Sequence, residues 1–140
     1  MTIYLLDTNV VSELRRPHPG PAVVAWLAAI ETTRLRLSAV TLGEIQRGIE
    51  SLRERDAAKA AEIESWADEL ERAYELIAAD AAVFRRCARL MHRHPAPAWE
   101  DALIAATALV HGLTVATRNV RDFEGLGPPV CDPFRRDSVG

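Results

Sequence analysis

Short apolar runs that stop abruptly at polar residues constrain this chain most. Ile3-Tyr4-Leu5-Leu6 ends at Asp7, and Leu113-Thr114-Val115-Ala116-Thr117 leads into Arg118-Asn119-Val120-Arg121-Asp122-Phe123. A continuous run, rather than an alternating one, predicts a strand covered on both faces, as in a parallel sheet. The segments between such runs have helical character. Thr8 to Arg15 reads as a first helix, ended by Pro17-His18-Pro19-Gly20-Pro21, which sets Pro21 at the start of a second with Val23, Val24, Trp26, Leu27 and Ile30 on its apolar face. Leu35, Leu37 and Ala39 to Val40 suggest a second strand. The capping-box form of Thr41-Leu42-Gly43-Glu44 then opens a helix with Glu44 in its first turn.

A helical hairpin is expected at about 41–77, broken by the charges of Arg53 to Asp56, with Ile63, Trp66, Leu70, Ala73 and Ile77 at helical spacing on its second arm. Asp80 can cap a helix that ends near His94-Pro95-Ala96-Pro97, and Trp99 to His111 forms the next, stopped by Gly112. A last short strand is expected near Pro129 to Cys131. This alternation predicts one domain over 1–140 with a three-layer α/β/α fold and a mostly parallel sheet.

Composition narrows the function. The net charge is −3, so the molecule as a whole is no electrostatic footprint for nucleic acid, and any such chemistry must be local. The longest nearly apolar stretch, Ala102 to Val110, falls far short of the ~20 residues that span a bilayer, and a cytoplasmic protein without membrane contact is expected. Cys87 and Cys131 have no metal-binding or CxxC spacing and receive no role.

In open parallel sheets ligands bind beyond the carboxyl ends of the strands, where Asp7, Asn119 and Asp122 follow predicted strands directly. Glu44 and Asp101 lie in first turns of helices that start at the same edge. Taken singly, each has a structural explanation, since Asp7 caps a helix, Glu44 completes a capping box, Asp101 complements a helix dipole, and Asn119 and Asp122 form a polar turn. Together they are a set of crowded hard oxygen donors, which repel one another unless a cation intervenes and which suit Mg²⁺ or Mn²⁺.

Leu5-Leu6-Asp7-Thr8-Asn9-Val10-Val11-Ser12-Glu13 resembles the opening of PIN-domain ribonuclease toxins of the VapC and FitB type. Ser38 to Glu44 resembles their second acidic motif, Trp99 to Ala108 their third, and Leu113 to Phe123 their last, in family order over nearly the whole chain. The resemblance implies a PIN-like fold in which Asp7, Glu44 and Asp101 are the core acidic, metal-holding positions. Many relatives carry aspartate where this chain has Asn119, so either Asn119 works as a neutral ligand or Asp122 supplies the missing charge. Asn119, first after the strand, is expected to lie nearer the metal. Thr8, Asn9 and Thr117 are expected to orient the acids, and Arg118 and Arg121 to flank the substrate. The resemblance further implies a toxin–antitoxin module. Its toxin cuts RNA to leave a 3′-hydroxyl and a 5′-phosphate, forms a homodimer, is blocked by a small antitoxin, and meets promoter DNA only through the antitoxin complex.

Two rival readings differ in class. A phosphotransferase with an aspartate phosphorylated after its first strand wants a lysine at the phosphate, yet Lys59 is the only lysine among 17 basic residues and lies in the expected hairpin. A non-catalytic PIN-like module that binds RNA or protein is the alternative, with Asn119 as its support and three retained acids against it. Arg85, Arg89 and Arg93, with Arg86 beside them, could track phosphates, although general grounds favour a solvated helix face. His92 and His94 are two apart and share no helical face, which argues against zinc. The Ile63, Trp66, Leu70 stripe is either core or a partner-facing patch.

Overall fold

The computed structural model describes residues 1–94 and 98–135. Five strands form one parallel sheet: β1 (Tyr4–Leu6), β2 (Leu35–Ser38), β3 (Glu75–Ile77), β4 (Thr114–Ala116) and β5 (Val130–Cys131), in the order β3-β2-β1-β4-β5. Tyr4, Leu5 and Leu6 are all buried, as their unbroken apolar run requires. Tyr4 and Leu6 face one hydrophobic cluster and Leu5 the other, because successive strand residues point to opposite faces.

The first cluster is covered by α1 (Thr8–Glu13), α2 (Pro21–Ala29), α3 (Ala39–Arg53) and α4 (Ala57–Ala73). The second lies under α5 (Ala81–Arg93), α6 (Trp99–His111) and α7 (Val120–Glu124). Three layers result, as the alternation of elements predicts. Strand order makes β1 the point from which the chain builds outward first through β2 and β3, then through β4 and β5 on the other side. The crevice beyond β1 and β4 is therefore the topological switch point of the sheet.

Several boundaries differ from expectation. The helix after β2 is capped by Ser38, whose Oγ accepts from Val40 N–H at 3.0 Å, and not by Thr41. Ala39 and Val40 thus belong to α3, and Glu44 stands in its second turn. Serine three residues upstream of Thr41 offers the same cap chemistry, and the apolar Ala39-Val40 pair hides it in sequence. The hairpin arms end at Ala73, and Ile77 belongs to β3. Leu70 is buried, and Ile63 and Trp66 pack against the first cluster, so that stripe is used in the core and gives no support to a dimer. Val24 lies on the exposed side of α2. Asp80 caps α5 by accepting from Val83 N–H at 3.1 Å, and Gly112 ends α6 with φ +67°. The expected stop at Pro95 to Pro97 lies outside the described residues. No helix among the described residues is long and apolar enough to cross a membrane.

Candidate active site

Asp7 leaves β1 at the switch point and is 5% exposed. Its Oδ1 accepts from Thr8 N–H at 2.8 Å, which is the helix-capping role read from sequence, but Oδ2 is held separately. Thr117 Oγ1, directly after β4, donates to Oδ2 at 2.9 Å, and Asn9 Nδ2 donates to it at 3.2 Å. The same Thr117 hydroxyl accepts from Asn9 Nδ2 at 3.2 Å and from Asn119 N–H at 2.9 Å. It is thereby fixed as the donor to Asp7, its lone pairs both being occupied. Asn9 Oδ1 accepts from Arg118 N–H at 3.2 Å, so the loop after β4 is latched to the loop after β1.

Thr8 connects the second acid. Its hydroxyl donates to Glu44 Oε1 at 3.2 Å and reaches Thr41 Oγ1 at 3.3 Å, which brings α3 against the same edge although Glu44 is a turn later than expected. Thr8 thus bonds to Glu44, and Asn9 and Thr117 to Asp7. Asp101, in the first turn of α6, lines a cavity of about 450 Å³ with Asp122, Arg121 and His94. Glu44 lines a different one, about 290 Å³, with Thr8, Arg15 and Trp66.

The acids feel one another. Burial pushes the Asp101 carboxyl up to about 6, and the charges of Asp7, Asp122 and Glu100 add to it. Burial raises Asp7 as well, with Asp122 adding to the effect while the bonds from Thr117, Thr8 and Asn9 oppose it. Glu44 is raised by burial and by Asp7, Glu100 and Asp101, against the Thr8 hydrogen bond. A site that disfavours its own charges is one that a cation would stabilise.

Among the described residues no three His, Cys, Asp or Glu side chains stand close enough to grip an ion by themselves. Asp7 and Asp101 are the pair whose donor chemistry fits Mg²⁺.

Asn119 and Asp122 separate here. Asp122 faces Asp101 across the shared cavity and its charge raises both Asp7 and Asp101. Asn119 lines a neighbouring cavity of about 570 Å³ with Arg118, Arg121 and Asp122, and its side chain makes no capping bond to α7. Asp122 shares a cavity with Asp101, while Asn119 N–H donates to the Thr117 hydroxyl that holds Asp7, so both positions stand beside the acids. Asp122 lies in the first turn of α7, an element not anticipated from the sequence.

Two residues went unread in sequence. Glu100 adds negative charge beside Asp101 and Glu44 while pairing with Arg47 of α3 at 3.6 Å. Glu13 is buried at 5% exposure, accepts from Gly20 N–H at 2.9 Å, and pairs with Arg16 and Arg118, each at 3.4 Å. Arg118 is further stacked 3.9 Å from the Phe134 ring centroid, so it is partly committed within the chain while Arg121 is exposed at the acidic cavity. Lys59 sits in the first turn of α4, paired with Glu62 at 3.2 Å.

Comparison with known proteins agrees with this arrangement. The PIN domain family model matches residues 4–127. Toxin FitB of Neisseria gonorrhoeae is 35% identical over 137 residues, covering 93% of this chain and 97% of that protein. VapC ribonuclease Y4jK of Sinorhizobium fredii is 34% identical, covering 93% of this chain and 96% of that protein. The fold matches a chain of FitAB bound to an IR36 DNA fragment with a TM-score of 0.85 and 31% identity, over 95% of this chain and 96% of that chain. With both sequence and fold matched over nearly the full length, the chain belongs to the PIN-domain family.

Proposed function

We propose that the chain is a metal-dependent endoribonuclease, the toxin of a type II toxin–antitoxin module, acting on RNA in the cytoplasm. The observation that carries the reading is the mutual repulsion among the acids: Asp122 raises Asp7 and Asp101, and Asp7 and Asp101 raise Glu44, on top of burial of all three. The ribonuclease and toxin names of Y4jK and FitB support it.

In this reading Asp7 and Asp101 hold the ion, and Mg²⁺ or Mn²⁺ when bound supplies Lewis acidity toward the phosphate and an activated water. Thr117, Asn9 and Thr8 N–H keep the Asp7 carboxylate oriented, which preserves its geometry when substrate enters. Glu44 orients the attacking water or helps hold a second ion. Asp122 adds charge on the Asp101 side, and Asn119 acts behind it. Arg121 and the exposed part of Arg118 contact RNA phosphates beside the acids.

A small antitoxin closes the site by placing an arginine or lysine among the carboxylates, in competition with metal. DNA is met only through that complex, as the FitAB–DNA structure supports. The toxin acts as a homodimer.

The test is cleavage of an end-labelled single-stranded RNA by purified protein with Mg²⁺, with chemical analysis of the product ends. Products with 3′-hydroxyl and 5′-phosphate termini, lost in Asp7→Asn, are expected. Products ending in 2′,3′-cyclic phosphate would overturn the metal-hydrolysis reading, and binding without cleavage would favour the non-catalytic module.

A further inference from the structure

A larger concavity lies beside the acids and takes no part in holding the ion. Arg86, Arg89 and Arg93 of α5 line a groove of about 800 Å³, together with His94 and the Gly125–Gly127 turn after α7. These arginines follow i, i+3, i+7 spacing, which sets them on one helical face about one turn apart. This is not the Arg85, Arg89, Arg93 row that the sequence suggests, because Arg85 does not line the groove.

The groove runs into the candidate active site. His94, Gly125 and Leu126 line both the groove and the cavity that holds Asp101 and Asp122. That cavity in turn shares Arg121 and Asp122 with the cavity lined by Arg118. The acidic centre is thus flanked on one side by the arginine-lined groove and on the other by a cavity of balanced charge, where Arg118, Arg121 and Arg135 stand with Asp122, Glu124 and Asp132.

The charge in the groove is uncommitted. Among the described residues Arg86, Arg89 and Arg93 are paired with no carboxylate, whereas Arg16, Arg36, Arg47, Arg53 and Arg118 each are. No described acidic residue lines the groove. On a chain of net charge −3, a concave row of unpaired guanidinium groups is a local site for a polyanion. Guanidinium forks match phosphate oxygens in bidentate fashion. The junction is open at this turn, where a Cβ at Gly125 would meet no atom within 4 Å.

We propose that this groove binds the phosphodiester backbone of single-stranded RNA on one side of the bond to be cut. The inference rests on the ribonuclease reading. Continuity with the acids favours RNA over an acidic peptide, because a substrate strand must pass directly from the groove to the reacting phosphate.

The test measures binding of a fluorescent single-stranded oligoribonucleotide to the full chain in chelator across a salt series. Arg89→Gln/Arg93→Gln removes two exposed charges, and Arg85→Gln removes one that does not line the groove. The double variant should bind on the order of tenfold more weakly at low salt, with a log–log salt slope shallower by about 1.4, while Arg85→Gln changes neither. Gly125→Trp, which fills the junction at a backbone conformation open to any residue, should weaken binding without altering charge. In cleavage assays the double variant should raise KM with kcat little changed, since its side chains lie away from the reacting bond.

Unchanged affinity and slope in the double variant, with wild type cutting RNA normally, would overturn the groove and leave the ribonuclease reading standing. An equal loss in Arg85→Gln would overturn it in favour of a general field effect. Loss of antitoxin affinity with RNA affinity intact would reassign the groove to the protein partner. Wild-type protein that neither binds nor cuts RNA would overturn both readings.

Discussion

Asp101→Asn is expected to stabilise the metal-free protein, whereas removal of a well-partnered charge destabilises a fold. The Asp101 carboxyl is pushed from 3.8 to about 6, by burial first and then by Asp7, Asp122 and Glu100. A displacement of that size corresponds to roughly 3 kcal/mol against the charged form. Asp101 keeps partial contact with water, and screening reduces the figure to about 1–2 kcal/mol. The folded chain binds this proton more tightly than the unfolded chain. The stabilising proton is therefore fully in place below pH 3.8 and is lost as pH rises through about 6.

Asp7 and Glu44 are displaced in the same direction. Glu13, Glu50 and Glu64 are displaced downward, so their contribution is present above 4.5 and fades only as pH falls through their lower folded values. Between about pH 7 and 5 the acidic cluster governs the carboxylate contribution. Thermal unfolding in chelator should show wild type gaining about 3–7 °C on acidification across that window. Asp101→Asn should exceed wild type near neutral pH by a similar margin, with a weaker pH dependence. Added Mg²⁺ should raise wild type and leave the variant nearly unmoved. A wild type that loses stability across the window, or a variant less stable than wild type near neutral pH in chelator, refutes the reasoning.

Thr117→Val removes the hydroxyl that donates to Asp7 Oδ2 and accepts from Asn9 and Asn119; a stability loss of about 1–3 kcal/mol by denaturant titration and a roughly 10–100-fold fall in RNA cleavage are expected. Asp122→Asn should cost more turnover than Asn119→Ala at saturating Mg²⁺, and should lower the Asp101 pKa, monitored by carboxyl NMR. The reverse ranking would place Asn119 nearer the metal. Glu13→Gln should loosen Arg118 and the turn at Gly20, lowering the melting temperature and increasing hydrogen exchange at Gly20 and Arg118.

Strand runs and helix stops were legible because they depend on local chemistry. The unbroken apolar run at Tyr4 to Leu6 and the glycine at 112 each admit few alternatives. Asp7 stood out because it directly follows a strand, and Asp101 because it opens a helix. Their mutual arrangement was not legible. Asn119 and Asp122 were ordered by chain position, and the short helix that carries Asp122 has no strong pattern in five residues. Glu13 went unread because its partners, Gly20 and Arg118, lie far apart along the chain. The basic groove was obscured for a similar reason: which arginines of α5 face a cavity depends on what packs against that helix.

Divalent-ion binding by Asp7 and Asp101, as the condition for cutting RNA, is the central claim. It is tested most directly by the cleavage rate of one RNA as a function of Mg²⁺ concentration for wild type, Asp7→Asn and Asp101→Asn, each first shown to be folded. The expected result is a saturable Mg²⁺ dependence in wild type, no cleavage in chelator, and a loss on the order of 100-fold or more in each variant that excess Mg²⁺ does not restore. Wild-type cleavage at full rate in chelator, or a folded Asp7→Asn/Asp101→Asn double variant that still cuts at the wild-type rate, would contradict it.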